Sequence, residues 1–194
     1  MENVIKNFFD KVAPSWDERE TLPIECKEKL IDELDIHEHD DILDVACGTG
    51  VVTNLLHKHS KSPVTAIDIS SNMIEIAKEK YKENKDDYIF IADDFLTHKF
   101  DKKFDYIIIY NAYPHFKNPE ALKLKIKDTL KENGRFAIMH SMSLEKLNEH
   151  HKNVDSSIYR EFLSFKEEAE RYEDYFNIEK IIDSDHLLLI GRLK

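Results

Sequence analysis

Asp44 sits inside a short apolar run, Ile42-Leu43-Asp44-Val45, and is followed closely by Gly48 and Gly50. The chain holds only four glycines, so two in one stretch mark a backbone that must turn sharply and approach a ligand or a neighbour closely. A second carboxylate, Asp68, ends the next apolar run, Val64-Thr65-Ala66-Ile67-Asp68. There it can accept hydrogen bonds from both hydroxyls of a ribose, or it can cap the helix that opens at Ser70-Ser71-Asn72. Open α/β sheets bind ligands past the carboxyl ends of their strands, which is where both acids fall.

Two ligands suit such a loop: a dinucleotide, or S-adenosylmethionine. The dinucleotide fingerprint needs a third glycine, and Thr53 stands at that position. It also places a pyrophosphate on the helix N-terminus, where Asp44 would repel it. The same carboxylate attracts an ammonium and a sulfonium. The charges favour the adenosyl cation donor.

The elements that must position these residues alternate in type. Short apolar runs at 41–45, 64–68, 88–91, 104–109 and 135–139 read as buried parallel strands. Between them lie amphipathic helical patterns, at Val51–His59, Asn72–Tyr81 and Pro119–Lys131, the last stopped by Asn133-Gly134. Alternation of this kind predicts βαβ units in a doubly wound sheet. Residues 1–35 read as helical, divided by Pro14 and Pro23, and residues 176–194 as a hairpin turning at Asp183-Ser184-Asp185.

In order and spacing, these motifs resemble the class I methyltransferase family, in its ubiquinone/menaquinone-type small-molecule branch. The resemblance runs from Phe8-Phe9-Asp10-Lys11-Val12-Ala13-Pro14-Ser15-Trp16-Asp17 through Leu43–Gly50, Ala66–Ile74 and Ala92-Asp93-Asp94-Phe95 to Phe104–Ile108 and Leu130–Gly134. It implies that Asp44 and the loop of Ala46, Cys47, Gly48 and Gly50 face the methionine part of the cofactor. It implies further that Asp68 binds the ribose, that Ile69 and Met73 pack on the adenine, and that Asp93 accepts from its amino group beside the Asp94-Phe95 backbone. Asn111 should line the methionine side. One departure is Ala46, which stands where the family loop has its first glycine; alanine there asks for a negative φ.

Ten histidines are unusual for this length. His115 follows the fourth strand and His140 ends the fifth, on the ligand edge, with His150 or His151 on the helix after it. Three readings stay open: scattered solvated histidines, a general base or acceptor-orienting group at His115 or His140, or an imidazole metal site. Related enzymes commonly carry a histidine at the position of His115. His37, His39, His57, His59 and His98 read as surface groups. Aromatics at Phe8, Phe9 and Trp16, and again at Phe162, Phe165, Tyr172, Tyr175 and Phe176, suit a core or a partly aromatic lid over the acceptor.

A net charge of −11 with no Lys/Arg run argues against a nucleic-acid partner. Two cysteines without a CxxC pair read as free thiols of a reducing cytoplasm, and no apolar run reaches the roughly 20 residues that span a bilayer. The expected architecture is one α/β domain: a Rossmann-like, seven-stranded, mostly parallel sheet with a C-terminal antiparallel hairpin and helices on both faces. A helical cap (1–35), a cofactor core (36–140), an acceptor-side cap (141–175) and the hairpin (176–194) would divide it. The expected activity is S-adenosylmethionine-dependent methylation of a small-molecule acceptor, with no resident metal, by a monomer or homodimer. An NAD-dependent oxidoreductase and a non-catalytic binding module are the alternatives.

Overall fold

The computed structural model describes residues 4–19, 22–151, 155–161 and 163–194, the side chains of His150 and His151 excepted. Its contacts divide the chain into two compact units, Met1–Lys99 and Phe100–Lys194. The boundary falls inside the expected 36–140 core.

The first unit opens with α1 (Val4–Val12), a 3-10 turn (Ala13–Ser15), α2 (Trp16–Arg19) and α3 (Ile24–Asp32). Pro14 occupies the first turn of the 3-10 segment and Pro23 precedes α3, places where a missing N–H costs nothing. Then β1 (Ile42–Val45), α4 (Thr53–Ser60), β2 (Val64–Asp68), α5 (Ser71–Lys80) and β3 (Tyr88–Ala92) alternate as expected. The strands run parallel in the order β3-β2-β1, with Asp44 opposite Ala66 and Asp68 opposite Ala92. Strands β1 and β2 are buried on both faces. Strand β3 is not, with Ile89 exposed, and corrects the reading of five strands buried on both faces. Helix α5 starts where Ser70 accepts the Met73 N–H at 3.2 Å, and it buries Met73, Ile74 and Ala77. Helix α4 begins at Thr53 rather than Val51, after a turn at 51–52.

The second unit holds β4 (Phe104–Tyr110), a 3-10 turn (Tyr113–His115), α6 (Pro119–Thr129), β5 (Leu130–His140), α7 (Leu144–His151), α8 (Phe165–Glu170), β6 (Phe176–Asp183) and β7 (Leu187–Leu193). Strand β4 pairs with β5 in parallel, and β5, β7 and β6 continue antiparallel in that order. Asn118 caps α6 through the Ala121 N–H, with Pro119 behind it.

The expected stop at Asn133-Gly134 is corrected: α6 ends at Thr129 and β5 begins at once. Leu130 is fully buried and pairs with Phe104, so its backbone is already extended. Asn133 and Gly134 instead form an irregularity within the strand. Asn133 takes φ 59°, and a Cβ at Gly134 would lie 3.1 Å from the Phe104 carbonyl oxygen. Seven strands, mostly parallel and finished by an antiparallel hairpin, give the Rossmann-like α/β fold.

Candidate cofactor site and the His115 turn

The first unit builds its site at the carboxyl ends of β1 and β2. Asp44 is 0% exposed. Its Oδ2 accepts from Thr53 Oγ1 at 2.6 Å, while Oδ1 is buried with no hydrogen-bond partner. Burial, reinforced by the charge of Asp68, pushes the Asp44 carboxyl up to about 7 against the pull of the Thr53 bond. A buried carboxylate oxygen without a donor is costly, and a positive group beside it would offset that cost.

After β1 the backbone enters the left-handed region at every second residue: Ala46 (φ 56°), Gly48 (φ 55°) and Gly50 (φ 78°). The negative φ expected at Ala46 is therefore corrected. The loop closes through Cys47 N–H to Ile67 O at 3.2 Å and Gly50 N–H to Cys47 O at 2.9 Å, and this frame holds alanine in a conformation glycine adopts freely. Gly50 has no space for a side chain, since a Cβ would meet Tyr81 Cε2 at 2.9 Å. The Tyr81 hydroxyl donates to the Gly50 carbonyl at 2.8 Å. Cys47 is buried, and burial together with Asp44 holds its thiol well above the usual value, so it is no nucleophile. Both cysteines are free.

Asp68 serves the loop and the helix together. Its Oδ2 accepts from Gly48 N–H and its Oδ1 from Ser70 N–H, both at 2.8 Å. Burial pushes it up to about 6 against these two bonds, with Asp10 adding to the rise. The Asp93 N–H donates to the Asp68 carbonyl at 3.0 Å, tying the ends of β2 and β3. Asp93 is half exposed, bonded to the Asp94 N–H and to His98 Nδ1, both at 2.8 Å. Ile69 is half-buried, Met73 and Phe95 are buried, and the Asp94 carboxylate caps the following turn through Leu96 N–H.

The N-terminal helices reach this loop. Asp10 accepts from Ser70 Oγ at 2.6 Å and Asn72 N–H at 3.2 Å, and also from Lys6. Asp17 accepts from Thr49 Oγ1 and pairs with Lys80 Nζ at 2.6 Å. A Cβ on Gly48 would lie 3.5 Å from Trp16 Nε1.

The second unit carries the other expected residues. Asn111, at φ 52°, spends its side chain on Ser141: Oδ1 accepts the Ser141 N–H at 2.9 Å and Nδ2 donates to Ser141 Oγ at 3.0 Å. His115 Nδ1 lies 3.0 Å from the Ile158 carbonyl oxygen. A carbonyl only accepts, so the proton sits on Nδ1 and a neutral ring keeps its lone pair on Nε2. His140 is 1% exposed, with its ring 6.4 Å from that of Phe165.

Beside the His115 turn lies a cluster the sequence did not announce. Glu168, 1% exposed, accepts from Arg160 through both oxygens at 2.9 and 3.2 Å, and from the Tyr113 hydroxyl at 2.7 Å. Burial would raise Glu168, but the Arg160 and Tyr113 bonds hold it below the usual carboxylate value. The Arg160 backbone N–H and Nε donate to the Pro114 and Phe116 carbonyls, and its guanidinium stacks over the Tyr113 ring at 4.5 Å.

A family model described as a methyltransferase domain matches residues 36–180. The chain belongs to this family. Two similar curated proteins are a malonyl-[acyl-carrier protein] O-methyltransferase of Acetivibrio thermocellus and (S)-coclaurine N-methyltransferase of Thalictrum flavum. The first is 28% identical over 70% of this chain and 48% of that protein, the second 30% over 69% and 37%. The chain spans about half the length of the curated relatives it matches, or less. Among solved structures, the N-methyltransferase NodS of Bradyrhizobium japonicum, in complex with S-adenosyl-L-homocysteine, superposes over 99% of both chains with a TM-score of 0.75 at 15% identity. That likeness shows the fold.

Within the methyltransferase domain, the first unit brings the loop residues, Asp44 and Asp68 into one bonded frame, with Asp93 joined to it through the Asp68 carbonyl. His115 and His140 occupy different settings, one in a turn and one in the core of its unit. The side chains of His150 and His151, and all of Phe162, lie outside the described residues. No group of three or more His, Cys, Asp or Glu among the described residues could hold a metal ion. No helix among them is long and apolar enough to cross a membrane. Sequence reasoning gave no site role to Tyr81, Asp17, Arg160 and Glu168, took Thr53 only as the absent third glycine and read His98 as a surface group. Asp17 alone lay within a quoted motif, the one that begins at Phe8.

Proposed function

We propose that this domain binds S-adenosylmethionine in the first unit and methylates a small-molecule acceptor in the cytoplasm. The observation that carries the reading is the orphaned Asp44 Oδ1, a buried carboxylate oxygen beside a loop whose backbone lies in the left-handed region at alternate residues. It suits the ammonium of the cofactor's methionine part and repels a pyrophosphate, which sets aside the dinucleotide alternative. The cofactor supplies an activated methyl group on a sulfonium, so the protein's share is alignment and exclusion of water. Ala46, Cys47, Gly48 and Gly50 would cradle the methionine part, and Asp68 the ribose hydroxyls. Ile69 and Met73 would meet the adenine, Asp93 its amino group, and the Asp94-Phe95 backbone its edge.

Asn111 belongs to the second unit, where its side chain is bound to Ser141. His115, oriented by the Ile158 carbonyl at Nδ1, would serve as general base or acceptor-orienting group for an acceptor that must lose a proton. His140, buried beside Phe165, is the alternative residue for that role. The net charge of −11 favours a small acceptor over nucleic acid.

The test is calorimetric titration with S-adenosylhomocysteine and, separately, NAD. Binding of the first alone is expected, and Asp68→Asn should weaken it by about 1–3 kcal/mol by leaving a ribose hydroxyl poorly matched. Binding of NAD with no response to S-adenosylhomocysteine overturns the reading.

A further inference from the structure

We propose that His98 is a positioning residue that sets the base specificity of the cofactor site by locking the carboxylate of Asp93. The inference rests on the reading above, in which Asp93 meets the adenine amino group.

Asp93 has 50% of its side chain exposed. An exposed carboxylate normally turns freely and is hydrated, and such a group discriminates poorly between a base that offers an amine and one that offers a carbonyl. Here neither oxygen is free to turn. Oδ1 accepts the Asp94 backbone N–H and Oδ2 accepts from His98 Nδ1, each at 2.8 Å. The His98 bond is the largest influence holding this carboxyl below its ordinary value, followed by the Asp94 bond. An ionised carboxylate only accepts, so His98 donates from Nδ1 and its tautomer follows.

His98 is itself held. The Thr97 and His98 N–H groups donate to the Asp94 carbonyl at 3.0 and 2.9 Å, closing a turn that returns the imidazole onto the residue before it. The Asp93 N–H meanwhile donates to the Asp68 carbonyl at 3.0 Å. The frame that fixes the proposed ribose ligand thus also fixes the backbone of the proposed base ligand, and His98 adds the missing constraint on the side chain.

Each oxygen keeps lone-pair capacity for an incoming amine. A locked carboxylate accepts an amine without first losing rotational freedom, and it cannot swing away from a carbonyl placed against it. His98 therefore acts on both sides of the choice: it favours adenine and sharpens the rejection of hypoxanthine.

The experiment compares S-adenosylhomocysteine with S-inosylhomocysteine by calorimetry on the full chain. The wild-type protein should favour the adenine compound. His98→Phe keeps a ring but removes the donor, and should lower that preference about tenfold, with most of the loss in adenine binding. His98→Asn restores a donor and should recover most of the preference. Asp93→Ala separates the two layers of the argument. If Asp93→Ala loses the preference while His98→Phe keeps it, the positioning role is overturned and the reading of Asp93 stands. If Asp93→Ala keeps the preference, Asp93 is not the base ligand and the proposal falls with that reading. His98→Ala serves as a second variant, and an unchanged preference in it overturns the role equally.

Discussion

Replacing Asp44 by asparagine should make the free protein more stable at alkaline pH while removing its response to the cofactor. The carboxyl is fully buried, its Oδ1 has no donor, and it sits at about 7 rather than 3.8. A folded-state value above the unfolded one means that the native state holds a proton the unfolded chain has already released. Stability is therefore fully present below about pH 4, falls as pH rises through about 7, and is flat beyond. The gap corresponds to about 4 kcal/mol at 1.36 kcal/mol per tenfold.

Asparagine keeps an acceptor for Thr53 but leaves an amide N–H unpartnered, so about 2 kcal/mol of this should be recovered. For a chain of this length that is about 4–8 °C in Tm. The assay is thermal unfolding of wild type and Asp44→Asn at pH 5 and pH 8, with and without S-adenosylhomocysteine. At pH 5, where only about 1.6 kcal/mol has been lost, the variant should melt at or slightly below the wild type. The variant should melt higher at pH 8, and the ligand should raise the Tm of wild type alone. A variant less stable than wild type at pH 8, or a gap independent of pH, refutes the argument that Asp44 is an uncompensated buried charge.

Ala46→Gly relieves a left-handed alanine that costs about 1–2 kcal/mol, offset by about 0.5–1 kcal/mol of glycine backbone entropy. A rise in Tm of about 2 °C is expected, and a fall would show that the loop holds alanine without strain. Glu168→Gln leaves the Arg160 guanidinium without its buried counter-charge and should cost about 3 kcal/mol in denaturant unfolding. A loss below about 1 kcal/mol would mean that the cluster is effectively solvated.

The parts of the site that follow from local sequence were legible. Asp44, Gly48, Gly50 and Asp68 stand at strand ends, where a short apolar run and its first turn fix their placement. Ser70 caps α5 at the Ser-Ser-Asn start for the same local reason, and the hairpin turns where the acidic break between two apolar runs puts it. The illegible parts are pairings between distant residues. Tyr81 reaches back to the Gly50 carbonyl, Asp17 to Thr49, and Arg160 to Pro114, Phe116 and Glu168, and no periodicity announces any of them. The end of α6 was misread because Leu130 fits an amphipathic helix as well as a strand, and its pairing with Phe104 decides the matter. Ala46 was misread because a propensity of one residue yielded to the closure of the whole loop.

Trp16 is the sole indole in the chain, and its Nε1 lies beside Gly48, 3.5 Å from where a Cβ would stand. Its fluorescence therefore originates at one known point, on the loop proposed to receive the methionine part. Filling of that loop can be followed in the unlabelled protein through a single emitter, and motion of the N-terminal helices registers in the same signal.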